Sequence, residues 1–257
     1  FVHNTTRSFW SFGSARSAEA VVWKAAIKAE ALEGSNRRNG IKCTSKSKDR
    51  LYTAGAQWDA RKYFERFRLG TLFKRSAALG MPEVHNKLLY NHWSSPRLLK
   101  LGKQVTAPIL HAHCGLPAGS AYSDLFVKAY ACEPFDKFVA KCTHTVLASY
   151  FDDNFMSTSG SFDQCRANIK EAASLMHQIM DEDLEATLSY EKLGTIASDQ
   201  TLANAIAKDL GGLAGTIGTD LVQLGVDLRL QPKLRSRRKT IRLRRAKERS
   251  RRLARVS

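Results

Sequence analysis

Residues 145–151 and 154–158 read as two short strands that meet at Asp152-Asp153. Val146, Leu147, Tyr150 and Phe151 supply the apolar character of the outgoing strand, and the return begins at Asn154. Burying such a hairpin drives two adjacent carboxylates to a sharp turn, where each raises the other's cost of ionisation. A divalent cation removes that cost, and Mg2+ favours a few carboxylate oxygens plus substrate phosphates over a cage built from protein alone. An ordinary hairpin turn also accepts Asp-Asp, so the pair takes its meaning from what precedes and follows it.

Upstream, Ala20, Val21, Trp23, Ala26 and Ala29 recur near a 3.6-residue period, which predicts a helix over 17–32. Residues 33–48, rich in Gly, Ser, Asn and Lys, read as an exposed loop, and 51–58 as a short strand that delivers Asp59 at its end. A helix is expected over 61–79, stopped by Gly80 and Pro82. Residues 97–113 read as a β-hairpin turning at Gly102-Lys103, and the loop Gly115 to Gly119 then opens a helix to about Phe138. After the Asp-Asp hairpin a helix runs over 162–180. Beyond Ser189 come a short strand, a helix over 201–210, a glycine-rich stretch over 211–218 and a strand at 224–228. This order is that of an α+β fold, and Trp58, Phe67, Phe73, Trp93 and Met176 are expected in its core or interfaces.

Charge narrows the partners. The chain's 41 Lys and Arg against 24 Asp and Glu give a formal +17, which implies an anionic partner, nucleic acid before membrane surface. Thirteen basic residues against Glu248 over 233–255 carry +12 of this, leaving the body at +5. No apolar stretch approaches the roughly 20 residues of a membrane span. Five cysteines without a C-x-x-C pair suggest neither a disulfide framework nor a zinc finger, so a reducing intracellular compartment, nuclear or cytoplasmic, is expected. His111, His113 and Cys114 lack a fourth ligand at a matching spacing. A start at Phe1 without a charged and then apolar leader reads as a fragment with no secretory signal.

Taken in order, Asp59, then Gly115-Leu116-Pro117-Ala118-Gly119-Ser120, then Tyr150-Phe151-Asp152-Asp153 resemble the palm of reverse transcriptases. That family places an aromatic five residues after its first aspartate, here Phe64. Leu188-Ser189-Tyr190-Glu191-Lys192 looks like its lysine-bearing segment, and Leu224-Gly225-Val226 like its primer-contacting turn. The flavour is similar to divergent reverse-transcriptase-like proteins of dinoflagellate genomes. Ala118 stands where the family usually has Gln, and Phe151 is bulkier than usual between the Tyr and the first Asp.

The resemblance implies a polymerase palm, an antiparallel sheet with helices packed on one face, with partial fingers and a basic C-terminal thumb or tail. In those terms 1–50 would be an N-terminal helical segment with partial fingers, 51–200 the palm, 201–232 the palm–thumb connection and 233–257 the Arg-rich thumb helix or tail. The activity implied is RNA-directed DNA polymerisation by a retroelement enzyme on an RNA or DNA template-primer with deoxynucleoside triphosphates. Two Mg2+ ions, or Mn2+ in their place, would be held by Asp59, Asp152 and Asp153, and Lys192 would serve the departing pyrophosphate. Phe64, Gly115, Pro117, Gly119, Ser120 and Tyr150 would line the nucleotide and template side, with Ser120 equally suited to capping the next helix. Leu224 and Gly225 would meet the primer, and Lys233, Arg235, Arg237, Arg238, Arg242, Arg244 and Arg245 the nucleic-acid backbone. Two alternatives stay open: an inactive derivative that binds nucleic acid through its tail, and an RNA-templated RNA polymerase.

Overall fold

The computed structural model of the chain describes residues 1–10, 18–41, 49–96, 98, 100–105, 112–117, 120, 122–223 and 226–230. Gly119, Leu224, Gly225 and the basic residues from Lys233 to Arg245 singled out above lie outside them. The elements in chain order are α1 (Val2–Thr5), α2 (Ala18–Arg38), β1 (Tyr52–Arg61), α3 (Tyr63–Arg66), α4 (Leu69–Ala78), α5 (Glu83–Ser94), β2 (Lys100–Leu101) and β3 (Gln104–Val105). There follow α6 (Ser123–Lys141), β4 (Val146–Tyr150), β5 (Asp153–Gly160), α7 (Phe162–Gln178), β6 (Thr187–Leu188), β7 (Gly194–Ala197), α8 (Gln200–Leu210), β8 (Thr216–Gly218), β9 (Asp220–Gln223) and β10 (Val226–Arg229).

The main sheet runs β4-β5-β1-β7-β8, with β6 added at the end of β1. Every pairing in it is antiparallel except β7 with β8. Strand β1 lies at its centre, and all its residues but Arg61 are buried. Side chains alternate along a strand. Tyr52, Ala54, Ala56, Trp58 and Ala60 therefore share the face that packs against Ile169, Ala172, Ala173 and Met176 of α7, while Leu202 and Ile206 of α8 complete that core. On the opposite face Phe155 and Ile196 meet Ala29 of α2. This is the antiparallel sheet backed by helices expected of a palm, and Trp58, Phe67, Phe73, Trp93 and Met176 all lie in its core.

The N-terminal segment closes one edge. An exposed edge strand presents unpaired backbone groups, and β4 has its edge partly met by residues 9 and 10: the Ser149 N–H donates to the Phe9 carbonyl at 2.8 Å and Trp10 bridges to Ser149 in parallel. Trp10 is 2% exposed and packs on Phe9 and Phe135, its indole N–H donating to the Thr5 carbonyl at 3.0 Å. Arg7 grips the Asp136 carboxylate of α6 with two guanidinium nitrogens.

Several boundaries differ from the sequence reading. The first helix does not stop at Leu32 but continues to Arg38, because Glu33 and Asn36 are buried rather than looped out. The Asn36 amide donates to the Leu51 carbonyl at 2.8 Å and accepts from the Leu51 N–H at 3.0 Å, imitating a strand neighbour just before β1. The helix expected over 61–79 is two, broken at Phe67-Arg68 where the backbone is extended. Helix α5, with a weak apolar stripe, was not foreseen; Trp93 anchors it against Phe73 and Phe126 at ring distances of 5.6 and 5.0 Å. Helix α7 begins on a capping box, Ser161 with Gln164, and ends in a π-turn over Ile179–Asp183. Strand β1 overshoots its expected end by three residues, so Asp59 sits inside it.

Gly55 is the tightest point of β1. A Cβ there would stand 2.7 Å from the Phe155 ring and 2.9 Å from the Met156 carbonyl oxygen, and the latter is backbone of the paired strand. Gly55→Ala is expected to destabilise the protein by about 1–3 kcal/mol, as overpacking of a close-packed interior does, measured by denaturant unfolding.

Candidate active site

Register brings the carboxylates together. β1 and β5 pair Asp59 with Asp153, and β4 and β5 pair Tyr150 with Asp153. Directly opposed residues project to the same face, so Asp59 and Asp153 emerge side by side. The turn falls at Phe151-Asp152 rather than at Asp152-Asp153, because Phe151 takes a left-handed backbone with φ 54° and β5 already begins at Asp153. One carboxylate thus rides the turn and the other the sheet. The turn is fastened to the central strand, since the Asp152 carbonyl accepts from the Ala60 N–H at 3.1 Å and from the Asn154 amide at 3.2 Å.

Asp59 is 4% exposed, and its backbone carbonyl accepts from the Ser189 N–H at 2.8 Å. Lys192, from the 3-10 turn Tyr190–Lys192, reaches back so that its Nζ donates to both carboxylate oxygens of Asp59, at 3.0 and 2.9 Å. That bond raises the ammonium's pKa above its ordinary value, against partial burial and with help from the charges of Asp59, Asp152 and Asp153. Asp152 is pushed up first by burial and then by Asp59. Asp153 is pushed up to about 6, first by burial and then by the charges of Asp59 and Asp152, while Lys192 and a hydrogen bond from Gln57 oppose the rise. Gln57 escaped the sequence reading; its signal is the two-residue spacing that puts it on the face of Asp59.

The second wall comes from α3 and the Gly/Pro loop. The Leu116 N–H donates to the Phe64 carbonyl at 2.6 Å and the Gly115 N–H to the Phe67 carbonyl at 2.9 Å, so the loop is zipped onto the break between α3 and α4. Gly115 holds φ +101°, which a side chain would strain. Between them lies a cleft of about 550 Å³ lined by Lys62, Phe64, Gly115, Leu116, Pro117 and Asp152, among others. Lys62, at φ 52°, is a lining residue the sequence did not mark, as are Tyr63 and Glu65. Phe64 is half-buried, and its ring lies 5.7 Å from Phe151, which in turn meets Tyr150 at 5.2 Å. The Ser120 hydroxyl accepts from the Tyr122 N–H at 3.3 Å, serving the turn that leads into α6. Asp59, Asp152, Asp153 and Lys192 are thus one charge cluster, and Phe64, Gly115 and Pro117 share a cleft with Asp152.

The donors are hard carboxylate oxygens, the kind a divalent cation such as Mg2+ takes. Among the described residues no three His, Cys, Asp or Glu side chains stand close enough to hold an ion as they lie, and Lys192 stands on Asp59 instead. The donor chemistry fits Mg2+ or Mn2+.

No protein-family model matches the chain. No curated protein matches it in sequence. Among solved structures, apo telomerase from Candida tropicalis superposes with a TM-score of 0.53 at 12% identity, over 82% of this chain and 35% of that one. Telomerase from Candida tropicalis in complex with a TWJ fragment of telomeric RNA gives 0.49 at 14% identity, over 83% and 36%. The apo form truncated from its C-terminal domain gives 0.49 at 13%, over 80% and 38%. The chain spans about a third of the length of these telomerases. The likeness is one of fold alone: a palm-like α+β architecture with a mostly antiparallel sheet packed by helices. Among the described residues no helix is long and apolar enough to cross a membrane.

A carboxyl group whose pKa is higher folded than unfolded binds more protons in the native state, so stability falls as pH rises between the two values. For Asp153 that window runs from the ordinary 3.8 to about 6. Asp153→Asn is expected to flatten this fall and, after discounting for partial exposure, to stabilise the metal-free protein near pH 7 by about 1–2 kcal/mol. Denaturant unfolding with a chelator at pH 4 and pH 7 measures it; equal stabilisation at both would contradict the assignment.

Proposed function

We propose that this chain is the palm of an RNA-directed DNA polymerase of a retroelement, extending a primer on an RNA or DNA template with deoxynucleoside triphosphates. The observation that carries the reading is the register of β1 and β5, which sets Asp59 beside Asp153 while Asp152 faces the cleft of Phe64, Gly115 and Pro117. The TM-score of 0.53 to a telomerase supports the fold on which this chemistry rests, and nucleic acid as partner agrees with a formal charge of +17. Work inside a cell, in nucleus or cytoplasm, follows from that partner.

In this reading Asp59, Asp152 and Asp153 hold two Mg2+ ions, for which Mn2+ can substitute. The chemistry such ions would supply is activation of an attacking 3′ oxygen and stabilisation of charge on the leaving pyrophosphate. The chain's own groups do the rest. Burial and mutual repulsion keep the three carboxylates short of positive charge, so they favour a cation over bulk water. Lys192 supplies an ammonium on the leaving-group side as a proton and charge donor. Gly115 lets backbone approach the incoming base pair, and Pro117, Gly119, Ser120 and Tyr150 are assigned to the nucleotide and template side. Leu224 and Gly225 are assigned to the primer. Lys233, Arg235, Arg237, Arg238, Arg242, Arg244 and Arg245 are assigned to the phosphate backbone, a contact that weakens with salt.

Purified protein is expected to extend a primer on an RNA template with deoxynucleotides and Mg2+, and Asp152→Ala to abolish that extension. Synthesis by neither protein would leave an inactive derivative that binds nucleic acid, and synthesis by both would mark a contaminant.

Phe64 is assigned as the barrier to a 2′ hydroxyl, because its half-buried ring lines the cleft and is backed by Phe151. One additional atom against a packed ring costs about 1–3 kcal/mol, a preference of about 5- to 150-fold at 1.36 kcal/mol per tenfold. Phe64→Val is expected to raise the ratio of ribonucleotide to deoxynucleotide incorporation by that order while extension survives. A parent enzyme that already uses both sugars equally would instead favour an RNA-templated RNA polymerase.

A further inference from the structure

Lys192 is placed where it cannot act on a leaving group without first letting go of Asp59. Its ammonium is shared between both oxygens of the carboxylate, at 3.0 and 2.9 Å, and the Asp59 side chain is almost wholly buried. The aspartate is the fixed partner, since it sits inside β1 with its carbonyl held by the Ser189 N–H. The lysine is the movable one. Its side chain is 57% exposed at the end of a single 3-10 turn, and a lysine stem is long and flexible.

The same ammonium serves more than one carboxylate. It pairs with Asp59 and holds down the pKa rise at Asp152 and Asp153. Three carboxylates therefore share one positive charge.

We propose that Lys192 is the exchangeable counter-ion of this cluster: it positions Asp59 in the metal-free protein and is displaced from it when a divalent cation takes the same oxygens. This rests on the reading of Asp59 as a metal ligand given above. Displacement moves the ammonium off Asp59 only when the ion is in place, so the lysine reaches the leaving-group side as the metal arrives and is sequestered when it departs. No bond is made or broken in the exchange; an ion pair is traded for coordination. The coupling is reciprocal: the ion pair weakens metal binding by the same factor by which a bound metal weakens the ion pair, and removing the lysine relieves the first of these.

Two measurements test it on the full chain. Mn2+ binding, followed by electron paramagnetic resonance, is compared among the parent, Lys192→Met and Asp59→Asn. Expected are binding by the parent, loss in Asp59→Asn, and binding tighter by about 5- to 150-fold in Lys192→Met, the usual range of a coupling between two sites. In the unaltered parent, the rate at which an amine-acylating reagent labels Lys192, read by peptide mass spectrometry, is expected to rise on adding Mn2+. Loss of binding in Asp59→Asn together with no gain in Lys192→Met overturns the exchange and leaves the metal site standing. A labelling rate indifferent to Mn2+ overturns it too, and needs no variant to fold. Undiminished binding by Asp59→Asn overturns both the exchange and Asp59 as a ligand.

Discussion

Three carboxylates gathered around one hairpin turn and the central strand beside it repel one another, and a fold that keeps them there must supply the difference from elsewhere. The core under β1 does so. Trp58, with the alanines beside it on the face toward α7, commits the central strand to its position, and the register with β5 then leaves Asp59 no place except next to Asp153. The electrostatic cost shows as the upward pull on Asp152 and Asp153, and it is partly met by a single lysine. Much of the rest of the molecule follows from holding that unfavourable arrangement rigidly. The turn is fastened by the Ala60 N–H, and β6 extends the far end of β1 and delivers the Lys192 turn.

The Asp-Asp hairpin, the strand that carries Asp59 and most of the helices were legible because they are written in short-range chemistry. An apolar strand ending in Asp-Asp and a glycine-rich loop before a helix each act over a few residues. The core aromatics were legible for the same reason that large apolar side chains are costly to leave in water. What escaped depends on partners distant in sequence. Asn36 looks like loop material until Leu51 arrives to pair with it. The break at Phe67-Arg68 is set by the loop strapped against it, whose Cys114 bridges to Arg68. The one-residue shift of the turn toward Phe151 comes from a left-handed backbone that composition does not announce at a phenylalanine.

The aromatic residues tie the two walls of the cleft into one piece. Phe64 belongs to the short helix after β1 and Phe151 to the hairpin turn, and their rings meet at 5.7 Å. Tyr63 and Phe67 continue the row at 4.7 Å, and Phe67 packs on Tyr130 of α6 at 4.4 Å. Aromatic pairs in tilted or edge-on contact add modestly to the area they bury, but here their chief effect is mechanical. The carboxylate turn, the aromatic wall and the helix behind them share one packed seam.

The N-terminal segment has a part in that mechanics out of proportion to its length. The hairpin bearing Asp152 is flanked on one side by β1 and on the other by Phe9 and Trp10, which meet β4 at Ser149, one residue before Tyr150. The two strands of the carboxylate hairpin are therefore the middle of a four-ply ribbon whose outer ply is residues 9 and 10, moored to α6 by Arg7 and Asp136. Residues 9 and 10 are thus part of the bed on which the carboxylate turn is laid, meeting β4 two residues of chain before Phe151.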